Sequence, residues 1–365
     1  MAGRTAQQVW VDEKARRAGY ADGAALAAAR GLKGYRLYQL YRAATKELVD
    51  DLDAVTTWPK DLRESLTADG FTFESVLPVT EQRSSDGQTT KVLFRLADGA
   101  EVEAVLMEHH RERNTVCLSS QAGCAYACAF CATGQAGFTR QLEATEIFDQ
   151  ARFFARRLAQ QGRKITNVVF MGMGEPLANL DAVMDAVALL NDAQGFGLGH
   201  RHITISTVGL VPQIDRFADA GIQVNLAISL HAPTDEIRGS IMPVNRRWPI
   251  ADLMGAVERY IAKTNRKVFF EYVMLAGVND APEHARALAK LMRGPLYHVN
   301  VIPYNATPDA QLAASQDRQI WDFAAVLEEH GVAVTVRTPM GRDIAAACGQ
   351  LRAETQPKAK QAGMV

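Results

Sequence analysis

The chain has 365 residues, 48% of them hydrophobic, enough for one large domain or a large domain with a small one beside it. Forty Lys and Arg stand against 41 Asp and Glu, a net charge of −1 that neither demands nor excludes a nucleic-acid partner, since local patches matter more than the sum. The opening residues lack the apolar core of a signal peptide, and no stretch approaches the roughly 20 apolar residues of a membrane span, so a cytoplasmic protein without a membrane partner is expected. Five cysteines, three of them clustered between 124 and 131, argue against a disulfide framework and for metal binding or thiol chemistry.

Residues 1–70 read as a helical unit. Alanines crowd 23–29, Tyr35, Leu37, Leu40 and Tyr41 line an apolar face, and Pro59 is placed to open a helix reaching about Leu66. Residues 1–50 hold nine Lys or Arg and five Asp or Glu. That excess suits either a solvated helical surface or a small RNA-docking module. From 71 to 113 the pattern alternates, predicting a short β extension with strands at 71–77, 91–96 and 102–107. Asp86-Gly87 and Asp98-Gly99 supply the turns.

After 114, β-rich runs at 115–118, 165–170, 202–206, 224–230, 268–275, 297–302 and 332–336 alternate with helical segments. Ile320, Phe323, Ala324 and Leu327 share one face of such a helix, with Ser315 as its expected N-cap. Strand–helix alternation specifies a parallel sheet. Six or so units are too few for an eight-fold barrel, so residues 114–350 are expected to form an α/β partial (β/α)6 barrel with its chemistry on loops after the strands. Residues 351–365 read as a flexible tail. Gly195, Gly197 and Gly199 precede a strand rather than follow one, which fits a loop and not a dinucleotide-binding turn.

Cys124, Cys128 and Cys131 form a Cys-x3-Cys-x2-Cys triad just after the first barrel strand. A tight loop can bring three thiolates onto three irons of a [4Fe–4S] cubane. Electron-transfer clusters use four cysteines, whereas here no fourth is near, leaving one iron for an exogenous ligand. The amino and carboxylate groups of S-adenosylmethionine (SAM) suit that vacancy, and electron transfer from the cluster then yields a 5′-deoxyadenosyl radical. A zinc site would be a different use of the triad, but zinc ordinarily takes four protein ligands in paired spacing. Buried core cysteines would be a third.

The ordered landmarks Cys117-Leu-Ser-Ser-Gln-Ala-Gly-Cys124, Phe130-Cys131-Ala-Thr-Gly-Gln, Gly172-Met-Gly-Glu-Pro176, Ile228-Ser-Leu-His-Ala-Pro233 and Asp343-Ile-Ala-Ala-Ala-Cys-Gly-Gln350 resemble the RlmN/Cfr radical SAM adenosine methyltransferases of 23S rRNA, from about Tyr35 to Leu351. The resemblance implies one [4Fe–4S] cluster per chain, two SAM molecules consumed per methylation and an external electron donor. Cys348 is then methylated by one SAM, and the radical from the second abstracts hydrogen from that methyl group. The methylene radical adds to an electron-poor adenine carbon, and Cys117 resolves the adduct, leaving a transient Cys117–Cys348 disulfide. Glu103 matches the family's proton acceptor, with a spacing to Cys117 one residue longer than the family pattern. Gly174, Glu175, Ser206, Ser229, Leu230, His231 and Asn305 match SAM-binding positions.

The implied substrates are adenosine 2503 of 23S rRNA, methylated at C2, and adenosine 37 of tRNA; DNA is not an expected partner. C8 methylation of the same rRNA adenosine shares these motifs and stays open. The residues also leave room for a non-catalytic iron–sulfur RNA-binding module and for a radical enzyme acting on a peptide or small molecule. His109, His110, Arg111 and Arg113, then Arg246, Arg247 and Trp248, then Arg337 and Arg342, are candidate RNA contacts. Each also fits a solvated surface.

Overall fold

The computed structural model describes residues 4–110, 112–307 and 311–352. Arg111, among the candidate RNA contacts, and the tail from 353 onward lie outside the described residues.

Four helices come first: α1 (Ala6–Arg17), α2 (Gly23–Arg30), α3 (Gly34–Thr45) and α4 (Lys60–Ala68). Thr5 starts α1 with a capping box, its side chain accepting from Gln8 N while the Gln8 amide oxygen accepts from Thr5 N. Asp22 caps α2 through Ala25 N. Pro59 stands just before α4 rather than inside it. Trp10 of α1, fully buried, packs on Tyr41, Phe71 and Phe73 at ring separations of 6.1, 6.3 and 5.9 Å.

That packing corrects the expected strand at 71–77. The alternating Phe71, Phe73 and Ser75 look like a strand, but the two rings cover Trp10. The Ser75 N–H donates to Asp149 at 2.7 Å, so it has no strand neighbour to serve. The strand β1 runs Val76–Arg83 and pairs antiparallel with β2 (Thr89–Leu96), which pairs with β3 (Glu101–Glu108). The expected turns at Asp86-Gly87 and Asp98-Gly99 join them.

The barrel follows with β4 (Asn114–Cys117), β5 (Gln121–Gly123), α5 (Ala132–Ala136), β6 (Phe138–Gln141), α6 (Ala144–Ala159) and β7 (Asn167–Phe170). It continues through α7 (Leu180–Asn191), β8 (Ile203–Thr207), α8 (Val211–Asp219), β9 (Asn225–Ser229), α9 (Asp235–Ile241), α10 (Ile250–Thr264) and β10 (Val268–Met274). It ends with α11 (Pro282–Leu291), β11 (Tyr297–Pro303), α12 (Asp317–Glu329) and β12 (Val334–Val336). β4 and β7–β12 lie parallel in chain order, joined by crossovers that carry helices. β3 pairs antiparallel with β4, Val105 facing Cys117, so β1–β3 continue the same ten-stranded sheet. β5 and β6 make a separate antiparallel ribbon around the cysteine loop.

Two further points bear on the site. Ser315 does not cap α12: Gln316 precedes the helix, and the Ser315 hydroxyl donates instead to the buried Asp280 carboxylate at 2.7 Å. A charge-assisted bond to a buried acid outweighs a cap. Lys14, fully buried, donates its ammonium to Phe73 O, Ser75 Oγ and Asp149 Oδ2 at 2.6, 2.7 and 2.7 Å, tying α1 to α6 with all three protons used. Among the described residues no helix is long and apolar enough to cross a membrane.

Candidate active site

The site is built from the loops that leave the C-terminal ends of the parallel strands. After β4 the chain passes through β5 to Cys124. Gly123 has φ +78°, and a Cβ there would stand 2.0 Å from the Gly137 carbonyl oxygen, which already accepts from Cys124 N at 2.7 Å. Glycine is therefore what allows the β5–β6 ribbon to close under the triad. Cys131 N donates to Cys128 O, and α5 starts directly after Cys131.

Cys124, Cys128 and Cys131 line one cavity. Burial pushes the Cys124 thiol up to about 12 and Cys128 well above its ordinary value, and neighbouring cysteines push each further. Three thiolates here need positive charge among them. Among the described residues no three His, Cys, Asp or Glu side chains close around one ion position. Three cysteines on one cavity suit a [4Fe–4S] cluster with one iron left open better than a zinc ion, which ordinarily takes four protein ligands.

After β7, Gly174 and Glu175 reach the same cavity. Gly174 has φ +100°, and a Cβ there would lie 2.5 Å from the Gln121 side chain. Gln121 Oε1 accepts from Glu175 N at 2.7 Å. The Glu175 carboxylate accepts from Leu177 N at 3.0 Å and Val208 N at 2.7 Å; burial raises its pKa to about 7 despite those bonds. Ser206 of β8, Ser229 of β9 and His231 just beyond complete this wall.

His231 is held in the left-handed region at φ +58°. Its Nδ1 accepts from Val273 N at 3.0 Å, which requires the neutral ring, and burial lowers its pKa to about 3. Phe130 meets the ring edge-on at 4.6 Å. Leu230, between Ser229 and His231, is fully buried and off the cavity wall; its N–H donates to Glu271 O.

Cys348 arrives from the far end of the chain and lines the cavity with the triad. Its surface is exposed, but dense protein around the thiol raises its pKa, and the Arg337 guanidinium opposes that shift. Asn305 is likewise off the cavity wall. It donates to Cys348 O at 3.2 Å and accepts from Arg342 Nε at 2.7 Å. Arg342, a candidate RNA contact, is exposed, with its Nε engaged by Asn305.

Cys117, at the end of β4, is buried behind the cavity, and both it and Cys348 are free thiols. Burial raises the Cys117 pKa, and Cys348 is close enough for its charge to raise it further. Glu103 is buried on β3 and is not on the cavity wall; its carboxylate meets Lys91 Nζ at 3.0 Å and Arg352 N at 2.8 Å. Of the remaining RNA candidates, Arg247 stacks on Trp248 at 4.7 Å. His109 is half-buried near Arg113 and Arg337; burial and both charges hold its pKa down to about 4.

Sequence reasoning missed three contributors. Glu271 of β10 lines the cavity, one carboxylate oxygen held by Asn300 at 2.8 Å. Arg238 of α9, fully buried, donates to the carbonyls of Val208, Ser229 and Leu230 and to Asn245 Oδ1. Lys91 joins Glu103 to the Cys348 segment. No short motif marks them, since each acts through backbone atoms or neighbours distant in sequence.

Comparison with known proteins agrees with this geometry. The model of the Radical SAM superfamily matches residues 118–289. A probable dual-specificity RNA methyltransferase RlmN of Chloroflexus aurantiacus is 48% identical, covering 88% of this chain and 88% of its own. A ribosomal RNA large subunit methyltransferase N of Nitrosopumilus maritimus is 43% identical, covering 89% of this chain and 94% of its own. The crystal structure of a radical SAM methyltransferase from Sphaerobacter thermophilus superposes with a TM-score of 0.88 at 45% identity, covering 96% of this chain and 100% of that one. With the triad, the Gly-Glu wall and Cys348 gathered on one cavity, the chain belongs to the RlmN family of radical SAM methyltransferases.

Proposed function

We propose that this chain methylates C2 of adenosine 2503 in 23S rRNA and of adenosine 37 in tRNA, with Cys348 as the methyl carrier. The observation that carries the reading is the convergence of Cys348 with Cys124, Cys128 and Cys131 on one cavity from opposite ends of the barrel. A [4Fe–4S] cluster held by the triad supplies, with SAM, a 5′-deoxyadenosyl radical. Gly174, Glu175, Ser206, Ser229 and His231 form the wall that would hold SAM, with the Glu175 carboxylate the group there that would accept from an ammonium.

Two SAM molecules serve each turnover: one methylates Cys348 by displacement, the other is the radical source. Arg337 favours the Cys348 thiolate that displacement requires. A ring carbon of adenine is not nucleophilic, so transfer through a carbon radical on the Cys348 methyl group avoids direct attack on the sulfonium. To restore aromaticity the adduct radical must lose one electron, which the cluster would take back, and the ring carbon must lose its proton; the resemblance gives that proton to Glu103, whose carboxylate lies off the cavity wall against Lys91. Cys117, as the thiolate, then attacks the Cys348 sulfur; the departing methylene carbon takes up a proton to become the methyl group, leaving a disulfide that an external two-electron reductant reopens. The adenosine leaves its stack to enter, and Arg247 stacked on Trp248 offers a charge-and-ring pair for RNA contact. Ribosomal and transfer RNA as substrates support the reading of a cytoplasmic protein.

The test is mass spectrometry of nucleosides from a 23S rRNA fragment incubated with cluster-reconstituted protein, SAM and reductant. The expected product is 2-methyladenosine. Methylation at C8 alone would overturn the assignment in favour of the Cfr-type reaction, and no methylated base with an intact cluster would favour a binding module.

A further inference from the structure

The segment 341–351 carries Cys348 with almost no regular structure. It holds one 3₁₀ turn, Arg342–Ile344, and three left-handed residues, Gly341, Ala345 and Gly349. Its internal backbone bonds are a few turns, Ala346 N to Gly341 O and Gln350 N to Ala347 O among them, so bonds from elsewhere decide where it lies. On the cluster side, Ala132 N donates to Gly349 O at 2.8 Å and Asn305 holds Cys348 O. On the other side Ser85 N donates to Asp343 Oδ2 at 2.7 Å, and a second, buried anchor is ionic. Lys91 of β2, 8% exposed, gives one proton to Glu103 at 3.0 Å and one to Ala345 O at 3.3 Å. Glu103, 5% exposed, takes the Arg352 N–H with its second oxygen at 2.8 Å. One buried ion pair therefore grips the chain three residues before Cys348 and four residues after it.

We propose that Lys91 is a positioning residue for the methylation reaction, holding the Cys348 segment docked by bridging Glu103 to the Ala345 carbonyl. Ala345 adopts a left-handed conformation at φ +50°, unfavourable for a residue with a side chain. The charged donor at its carbonyl offsets that cost. An apolar residue at 91 would release the Ala345 carbonyl and take the Lys91 cation away from the buried Glu103 carboxylate. The effect on activity rests on Cys348 being the methyl carrier; the effect on the segment does not.

The test uses full-length, cluster-reconstituted enzyme carrying Lys91→Met, Lys91→Arg or the double change Lys91→Met with Glu103→Gln. Hydrogen exchange of peptides spanning 341–352 and the alkylation rate of Cys348 report on docking. Methylation of an RNA fragment gives kcat and KM. Lys91→Met and the double variant should speed exchange and alkylation about tenfold or more, as loss of one charge-assisted bond implies. In Lys91→Met kcat should fall by a similar factor with KM for RNA unchanged, and Lys91→Arg should recover much of both. The double variant removes both charges of the pair together, so it reports on docking even where Lys91→Met fails to fold. Unchanged exchange in a folded variant overturns the proposal, as does a rise in KM at constant kcat, which would make Lys91 an RNA contact. Failure of the unaltered enzyme to methylate RNA would sink the proposed function, while the exchange comparison would still decide the docking role.

Discussion

The Thr133 hydroxyl donates to the Leu351 carbonyl at 2.6 Å, joining the helix that follows the third cysteine of the triad to the far end of the Cys348 segment. The loop that would hold the cluster and the segment that would carry the methyl group are thus a single bonded unit. Thr133 is buried, so this bond is shielded from water.

Thr133→Val keeps the shape and removes the donor. It leaves a buried carbonyl short of a partner, at a cost of about 1–2 kcal/mol. Iron per chain should be unchanged, while single-turnover methylation should slow about tenfold. A matching loss of iron would show that the bond supports the cluster loop instead.

The two groups of cysteines should separate by assay. Cys124→Ala, Cys128→Ala and Cys131→Ala should each lose iron and visible absorbance after anaerobic reconstitution. Cys348→Ala should keep both and yet give no methylated RNA. Turnover by Cys348→Ala would exclude a thiol-borne methyl group.

Arg238 serves three carbonyls and an amide oxygen around the β9 end of the site. Arg238→Met should strand these acceptors and lower stability by about 3–5 kcal/mol, read from the urea midpoint. Arg238→Lys should recover little, because an ammonium cannot span the guanidinium's acceptors. A midpoint near the parent's would show that water replaces the guanidinium.

His231 gives the stability a pH dependence of defined sign. Its pKa falls from 6.5 to about 3 on folding, so the unfolded chain binds the extra proton and stability drops as pH falls below 6.5. From about pH 7.5 to about pH 5 the loss should be about 2 kcal/mol. His231→Gln offers a non-titrating acceptor to Val273 N. Urea unfolding at both pH values should show the parent losing that much more stability than the variant; equal losses would mean that His231 titrates normally.

The chain's periodicities were legible because they are local. The six β/α crossovers follow from strand–helix alternation, and the cysteine triad from spacing within one loop. Phe71 and Phe73 misled because alternation does not say whether a backbone N–H will meet another strand or Asp149. Ser315 misled because a cap and a buried carboxylate compete for the same hydroxyl, and Asp280 is far away in sequence.

By itself the sequence determined the parallel sheet and the family and singled out the cysteine triad, all of which rest on patterns spanning a few residues or on their order. Only the tertiary structure decided that Cys348 faces the triad, that Leu230 and Asn305 stand behind the cavity wall, and that Lys91 and Glu103 grip the segment between them. The physical reason is that the few turn bonds within an irregular segment do not say where it lies: its position is set by donors on β2, α5 and the loop after β11 and by the Glu103 acceptor on β3, and these come together only when the sheet has formed.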